Sequence, residues 1–327
     1  MRLAFNPYTY VRVAVMRTLL IKPEGYHKML KMSFAEMAES LRQTTYKQEI
    51  EALALRYQGA MLLEHALNLN LKKTYEKLMR ISDEALREVI KAYLFRNDIW
   101  NLKTIIRSKT TKMGDDEIKD MLLPGTLKNL DALMKKQTVV EVIKASGLFE
   151  SAFVDDLKAV KDNVVMLENS LDKEYFHRMD RFASTLSQGG IMREFLKAEI
   201  EVTNILTLMK LKEFGLPDER IEAFVIEGRI PKKALKAKDR QAVVERLKGT
   251  PYYAVLKQNK EHLFAEAELK RHLLKRTVTL LHKNQLTVDV ILAYLLAKEI
   301  EILNLKRLIK GKQLGVEDAV IERVLIT

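Results

Sequence analysis

One stretch of this sequence is written three times. DIWNLKTIIRSK runs from Asp98 to Lys109, EVTNILTLMKLK from Glu201 to Lys212, and EILNLKRLIKGK from Glu301 to Lys312. Each reads acid, aliphatic, any, Asn, aliphatic, two of any type, aliphatic, aliphatic or Met, base, any, Lys. Asn101, Asn204 and Asn304 lie 103 and 100 residues apart. A second motif precedes each copy: an acid, an aliphatic two residues on, a base, then small and turn-forming residues. It starts at Glu39, Glu141 and Glu245, with Gln-small-Val-Val-Glu shared by the copies at Gln137 and Gln241. A third motif follows each copy and places Gly114, Gly215 or Gly315 before an acidic turn. Glycine there reads as a helix C-cap and the acids as the first turn of the next helix. Three motifs in one order at one period imply a triplicated module. Its copies run from about 34 to 130, 131 to 236 and 237 to 327.

The module reads as helical. Gly and Pro number only 12 and 6 in 327 residues, and hydrophobic residues make up 47%. Such a chain has few helix breakers and ample material for a core. The expected fold class is all-α: three related helical bundles about a pseudo-threefold axis. Residues 1–33 stand outside the repeat as a segment packing on the lobes. Its YVRVAVMRTLLI fits strand or helix equally.

Composition also narrows the function. The chain contains no cysteine, so disulfides and thiolate metal sites are excluded. This suits the cell interior. The longest unbroken apolar run, Val290 to Ala297, is far short of the roughly 20 residues of a spanning helix. Arg12 and Arg17 interrupt any secretory apolar core. The net charge of +12 permits nucleic acid, anionic headgroups or an acidic protein as partner.

On a helical wheel, Ile99, Leu102, Ile105 and Ile106 share a face, as do Ile302, Leu305, Leu308 and Ile309. Asp98 falls inside that apolar arc, and Glu201 and Glu301 inherit its place. A buried carboxylate needs a partner. The repeated bases Arg42, Lys144 and Lys248 are the expected ones, tying helices together as ion pairs. Asn101, Asn204 and Asn304 lie at the edge of the stripe, where Asn lowers helix propensity. Two roles are open for them, a hydrogen bond to nearby backbone or a contact to a partner. The bases Arg107 with Lys109, Lys210 with Lys212, and Lys310 with Lys312 complement the helix dipole. Gathered at one mouth, they would form a basic ring for an acidic loop or headgroups.

No catalytic, metal or cofactor site is expected. The six histidines are scattered without HExxH spacing, and neither GxxxxGK[ST] nor GxGxxG occurs. Asp115, Asp116 and Asp120 imitate the DDxxD of isoprenyl diphosphate synthases. The spacing is off, however, and no second copy exists. A basic helical scaffold for nucleic acid is the alternative reading, but no finger or RNP motif supports it.

Four segments carry a family resemblance: YLFRNDIWNLKTIIR from Tyr93 to Arg107, LLPGTL from Leu122 to Leu127, GTPY from Gly249 to Tyr252, and VILAYLLAKEIEILNLK from Val290 to Lys306. Together they resemble the C subunits of A-type ATP synthases, the counterparts of the d subunits of eukaryotic V-type ATPases, over nearly the whole chain. The resemblance implies a funnel-shaped, non-catalytic component of the central stalk. It implies a peripheral place on the cytoplasmic face of the membrane, on the proteolipid (c) ring. The funnel would receive axle subunits D and F and pass torque in a proton- or sodium-translocating enzyme. No nucleic acid and no cofactor are implied.

Overall fold

The computed structural model describes residues 7–111, 113–161, 163–186, 190–226, 232–258, 261–283 and 289–327. The described residues are helices and connections, without strands. In chain order the helices are α1 (Pro7–Thr18), α2 (Pro23–Leu30), α3 (Phe34–Arg42), α4 (Lys47–Leu53), α5 (Gly59–Ile81), α6 (Glu84–Thr111), α7 (Asp115–Met121), α8 (Leu130–Met134), α9 (Val139–Ser146) and α10 (Ser151–Leu157). Then follow α11 (Val164–Thr185), α12 (Gly190–Glu213), α13 (Asp218–Glu222), α14 (Lys232–Leu235), α15 (Arg240–Arg246), α16 (Tyr252–Gln258), α17 (His262–Lys283), α18 (Asp289–Gln313) and α19 (Asp318–Val324). The fold is all-α, as the scarcity of Gly and Pro requires.

The chain forms two compact units, Met1–Lys73 with Leu186–Thr327, and Thr74–Thr185. Their limits fall inside the first and second copies of the repeat.

The repeated motifs set where helices begin and end. Ser33 caps α3, and Glu36 reaches back to the Ser33 amide at 2.8 Å, closing a capping box. Thr138 and Glu141 do the same for α9. Asp239 caps α15 through the Ala242 amide at 2.7 Å. These caps correct the register of the second motif. Glu141 is a capping-box acid like Glu36, whereas Glu39 and Glu245 lie one turn deeper, on exposed faces.

The asparagine helices α12 and α18 end alike. Gly215 has φ 70° and Gly315 φ 65°. The Leu216 amide donates to Leu211 O and the Val316 amide to Gly311 O, each spanning the last turn. Only glycine takes this left-handed cap without strain. Gly114 differs: it is extended, with φ −69°, and is the N-cap of α7 rather than a C-cap. Asp115 and Asp116 therefore occupy the first turn of α7, where carboxylates favour the helix dipole.

The predicted stripes form the core. Ile99, Leu102, Ile105 and Ile106 are buried on α6, and Ile302, Leu305, Leu308 and Ile309 on α18. On α12, Val202, Ile205, Leu208 and Met209 pack in one cluster with Val243, Leu247, Tyr252, Leu256 and Leu269. Each such side chain contributes roughly 1.5–3 kcal/mol when fully buried. The N-terminal segment, ambiguous in sequence, is helical: α1 buries Tyr10, Val13 and Met16 and lies along α18, and α2 packs on α18 and α19. Among the described residues, no helix is long and apolar enough to cross a membrane.

Candidate functional site

The three asparagines hold three non-helical segments. Asn101 Nδ2 donates to Leu123 O at 2.8 Å, and the Leu123 amide donates to Asn101 Oδ1 at 2.7 Å. Asn204 and Ile226 exchange the same pair of bonds, both at 2.8 Å. So do Asn304 and Ile326, again both at 2.8 Å. In every copy the partner is 22 residues downstream. A carboxamide carries one acceptor and one donor side by side, like a peptide unit, so it pairs a passing backbone residue completely. All three asparagines are fully buried. That excludes them as contacts to a partner protein and makes them internal clamps.

In the first copy the clamp is extended. Asn97 Nδ2 donates to Pro124 O at 2.8 Å. The amides of Thr126 and Leu127 both donate to Asp98 Oδ1 at 2.8 Å, and the Thr126 hydroxyl donates to Asp98 Oδ2. The LLPGTL segment is thus laid across α6 by Asn97, Asp98 and Asn101. Gly125 lies so close that a Cβ there would overlap Asp98 Oδ1. Burial pushes the Asp98 carboxyl above its ordinary range, against the opposing pull of its three donors.

The equivalent acids in the other copies find tyrosines. The Tyr252 hydroxyl donates to Glu201 at 2.6 Å, and the Tyr46 hydroxyl to Glu301 at 2.6 Å. Tyr46 follows its N-cap Ser33 by the same thirteen residues as Tyr252 follows Asp239. The corresponding residue after Thr138 is Ser151. Burial and the adjacent carboxylate push both phenols well above their usual range, so they remain donors. Glu301 also accepts from Lys298 Nζ at 2.6 Å and from the Ile21 amide at 2.6 Å. Lys298, Glu301 and Tyr46 are all buried, and burial drives the Lys298 ammonium below its normal range despite Glu301.

These partners replace the expected ion pairs. Arg42 pairs with Glu39 on its own helix at 3.0 Å, and Lys144 and Lys248 are exposed. Each base directly follows a buried aliphatic, Leu41, Ile143 or Leu247, and a helix turns the next side chain outward. A phenol also costs less to bury than an ammonium. Sequence reading missed Tyr46 and Tyr252, although both end the second motif.

The bases closing the asparagine helices are mostly engaged. Arg107 makes a forked pair with Glu168 of α11, with Nε 2.6 Å from Oε1. Lys103, one turn earlier, holds Asp172 at 2.7 Å. With the helix that carries the second motif (α3, α9 or α15) called the head of each copy, Lys109 donates to Met134 O and Lys312 to Leu30 O, in each case a carbonyl shortly before a head's N-cap. Lys212 meets Asp218. Lys310 bonds Gln313 on the surface at 3.0 Å, and Lys210 is exposed.

These contacts give one hand-over rule. The second copy's head, α9, packs on the first copy's α6. The third copy's α15 and Tyr252 pack on the second copy's α12. The first copy's head reaches the third copy's α18 through Tyr46, and Leu30 of the preceding α2 is held by Lys312 of the same helix. Among the described residues, no group of three or more His, Asp and Glu side chains could hold a metal ion.

Residues 9–324 match the family model "ATP synthase (C/AC39) subunit". The C subunit of the A-type ATP synthase of Methanosarcina mazei is 32% identical over 98% of this chain and 92% of its own. The C subunits from Methanosarcina acetivorans and Archaeoglobus fulgidus are 30% and 29% identical, each over 98% of this chain and over 92% and 95% of their own. Clamps, repeat and matches agree over nearly the full length, and the chain belongs to the ATP synthase (C/AC39) subunit family.

Proposed function

We propose that this protein is the non-catalytic coupling component in the central stalk of an A-type ATP synthase. It sits on the cytoplasmic face of the membrane, upon the proteolipid ring, and receives axle subunits D and F. The full-length similarity to the C subunits of archaeal A-type ATP synthases carries the reading.

The hand-over rule supports the mechanical part. Heads passed from copy to copy, with the first returned to the third, fit three lobes (34–130, 131–236 and 237–327) closed about a pseudo-threefold axis. A closed funnel of that kind transmits torque as one body. The clamps fix each lobe's last non-helical segment to its longest helix, which suits a stiff adaptor. ATP chemistry and ion passage then belong to other subunits.

Co-purification tests this. Tagged protein should bring down the proteolipid ring together with axle subunits D and F. Recovery without ring or axle, under conditions that keep the rest of the enzyme intact, would refute it.

A further inference from the structure

Helix α1 is apolar on two sides. Its inner side buries Thr9, Tyr10, Val13 and Met16. Its outer side carries Tyr8, Val11 and Val15, exposed by 56%, 63% and 55%. At 100° per residue these three fall within about 60° of arc. Leu19, 54% exposed, continues the line in the turn beyond the helix. Four large apolar groups in a row on a helix surface call for an explanation, where single exposed ones do not.

The charge within this segment has one sign. From Pro7 to Pro23 there is no acid, and Arg12, Arg17 and Lys22 are the charged residues. The Arg12 guanidinium lies 4.5 Å over the Tyr8 ring, so cation and aromatic share one edge of the stripe. An apolar line with an aromatic at its end, the Arg12 cation on its edge and no acid in its own segment matches a helix lying in an anionic bilayer interface. A second copy of this chain fits poorly. Four side chains on one convex helix offer much less than the roughly 800 Å² per partner of a stable interface.

We infer that the outer face of α1 is a membrane-contact surface, laying Tyr8, Val11, Val15 and Leu19 into the headgroup region of an anionic bilayer. This goes beyond the coupling role and does not depend on it, since the isolated protein and lipid suffice for the test. The contact is superficial and reversible: one short stripe adds affinity for the surface without spanning it.

The test is co-sedimentation of the purified protein with vesicles of phosphatidylglycerol or of phosphatidylcholine. Binding is expected to the first, weakening with salt, and little to the second. Val11→Glu with Val15→Glu should weaken binding by about 100-fold, from two buried valines lost and two acids added. A basic protein binds anionic vesicles without specificity, so Leu55→Glu with Met61→Glu, on another exposed region, supplies the same charge change. That pair should retain binding. In a Trp100→Phe background, Tyr8→Trp places the sole tryptophan on the stripe, where brominated lipid should quench it.

The proposal is overturned by equal loss in both pairs, by no quenching, or by no vesicle binding. It is also overturned if the stripe variants stop self-association, or lose only co-purification with other proteins of the enzyme. Loss of ring co-purification in the wild type would sink the coupling role and leave the vesicle result standing.

Discussion

Tyr46 and Glu301 are 255 residues apart in sequence, and the tyrosine hydroxyl donates to the carboxylate at 2.6 Å in a buried site. The same bond joins Tyr252 to Glu201, 51 residues apart. One recurring contact thus spans two very different chain separations, because each of these tyrosines reaches the asparagine helix of a neighbouring copy.

Lys298 completes the Tyr46–Glu301 site, and its removal should be costly. Lys298→Met leaves a buried carboxylate with two neutral donors and is expected to cost about 3–5 kcal/mol. Tyr46→Phe should cost less, about 1–2 kcal/mol, because Lys298 and the Ile21 amide remain. Adding Glu301→Gln to Lys298→Met should recover part of the loss. Urea unfolding of the three variants checks the ranking, and a double variant no better than Lys298→Met would contradict it.

Each clamp should be worth more than an ordinary hydrogen bond. Asn101→Ala orphans both backbone groups of Leu123 and should cost about 2–4 kcal/mol. Asn304→Ala orphans the same two groups of Ile326 and should cost about as much. Urea unfolding reads both variants, and full stability of either would count against the clamp.

Gly125→Ala drives a methyl into Asp98 and should cost about 1–3 kcal/mol or more. In an Asp98→Ala background the same substitution should cost far less, since the clashing atom is gone. A double-mutant cycle with no coupling would mean the close approach is relieved some other way.

Asp98 also gives a pH dependence. Its folded carboxyl titrates above the ordinary aspartate value of 3.8 because burial outweighs its donors. Between those two values the unfolded chain has lost the proton and the folded chain keeps it. This contribution is therefore fully present below the unfolded value and is lost as pH rises through the folded one. Stability of the wild type should fall relative to Asp98→Asn as pH climbs from 3.8. Carbon-detected NMR titration of the carboxyl reads the shift directly; a folded value of 3.8 would abolish the slope and a lower one would reverse it.

Much of the fold was legible in the sequence. The stripes Ile99–Ile106 and Ile302–Ile309 and the all-helical class follow from local periodicity. The buried place of Asp98 and Glu301 also followed from the wheel. Their partners did not, because Tyr46, Tyr252 and Thr126 reach them through tertiary packing that no local pattern encodes. The register of Glu141 was misleading because a shared pentapeptide sits at two different depths after two N-caps. Residues 1–33 were ambiguous because α1 is apolar on both sides, which blurs its helical period.

The hand-over order underlies the proposed closed body, and paired double-mutant cycles test it most directly. Tyr46→Phe with Glu301→Gln, and Tyr252→Phe with Glu201→Gln, should each show coupling of about 1 kcal/mol or more. The crossed pairs, Tyr46→Phe with Glu201→Gln and Tyr252→Phe with Glu301→Gln, should be additive within about 0.5 kcal/mol. Coupling in the crossed pairs, or additivity in all four, would contradict the hand-over.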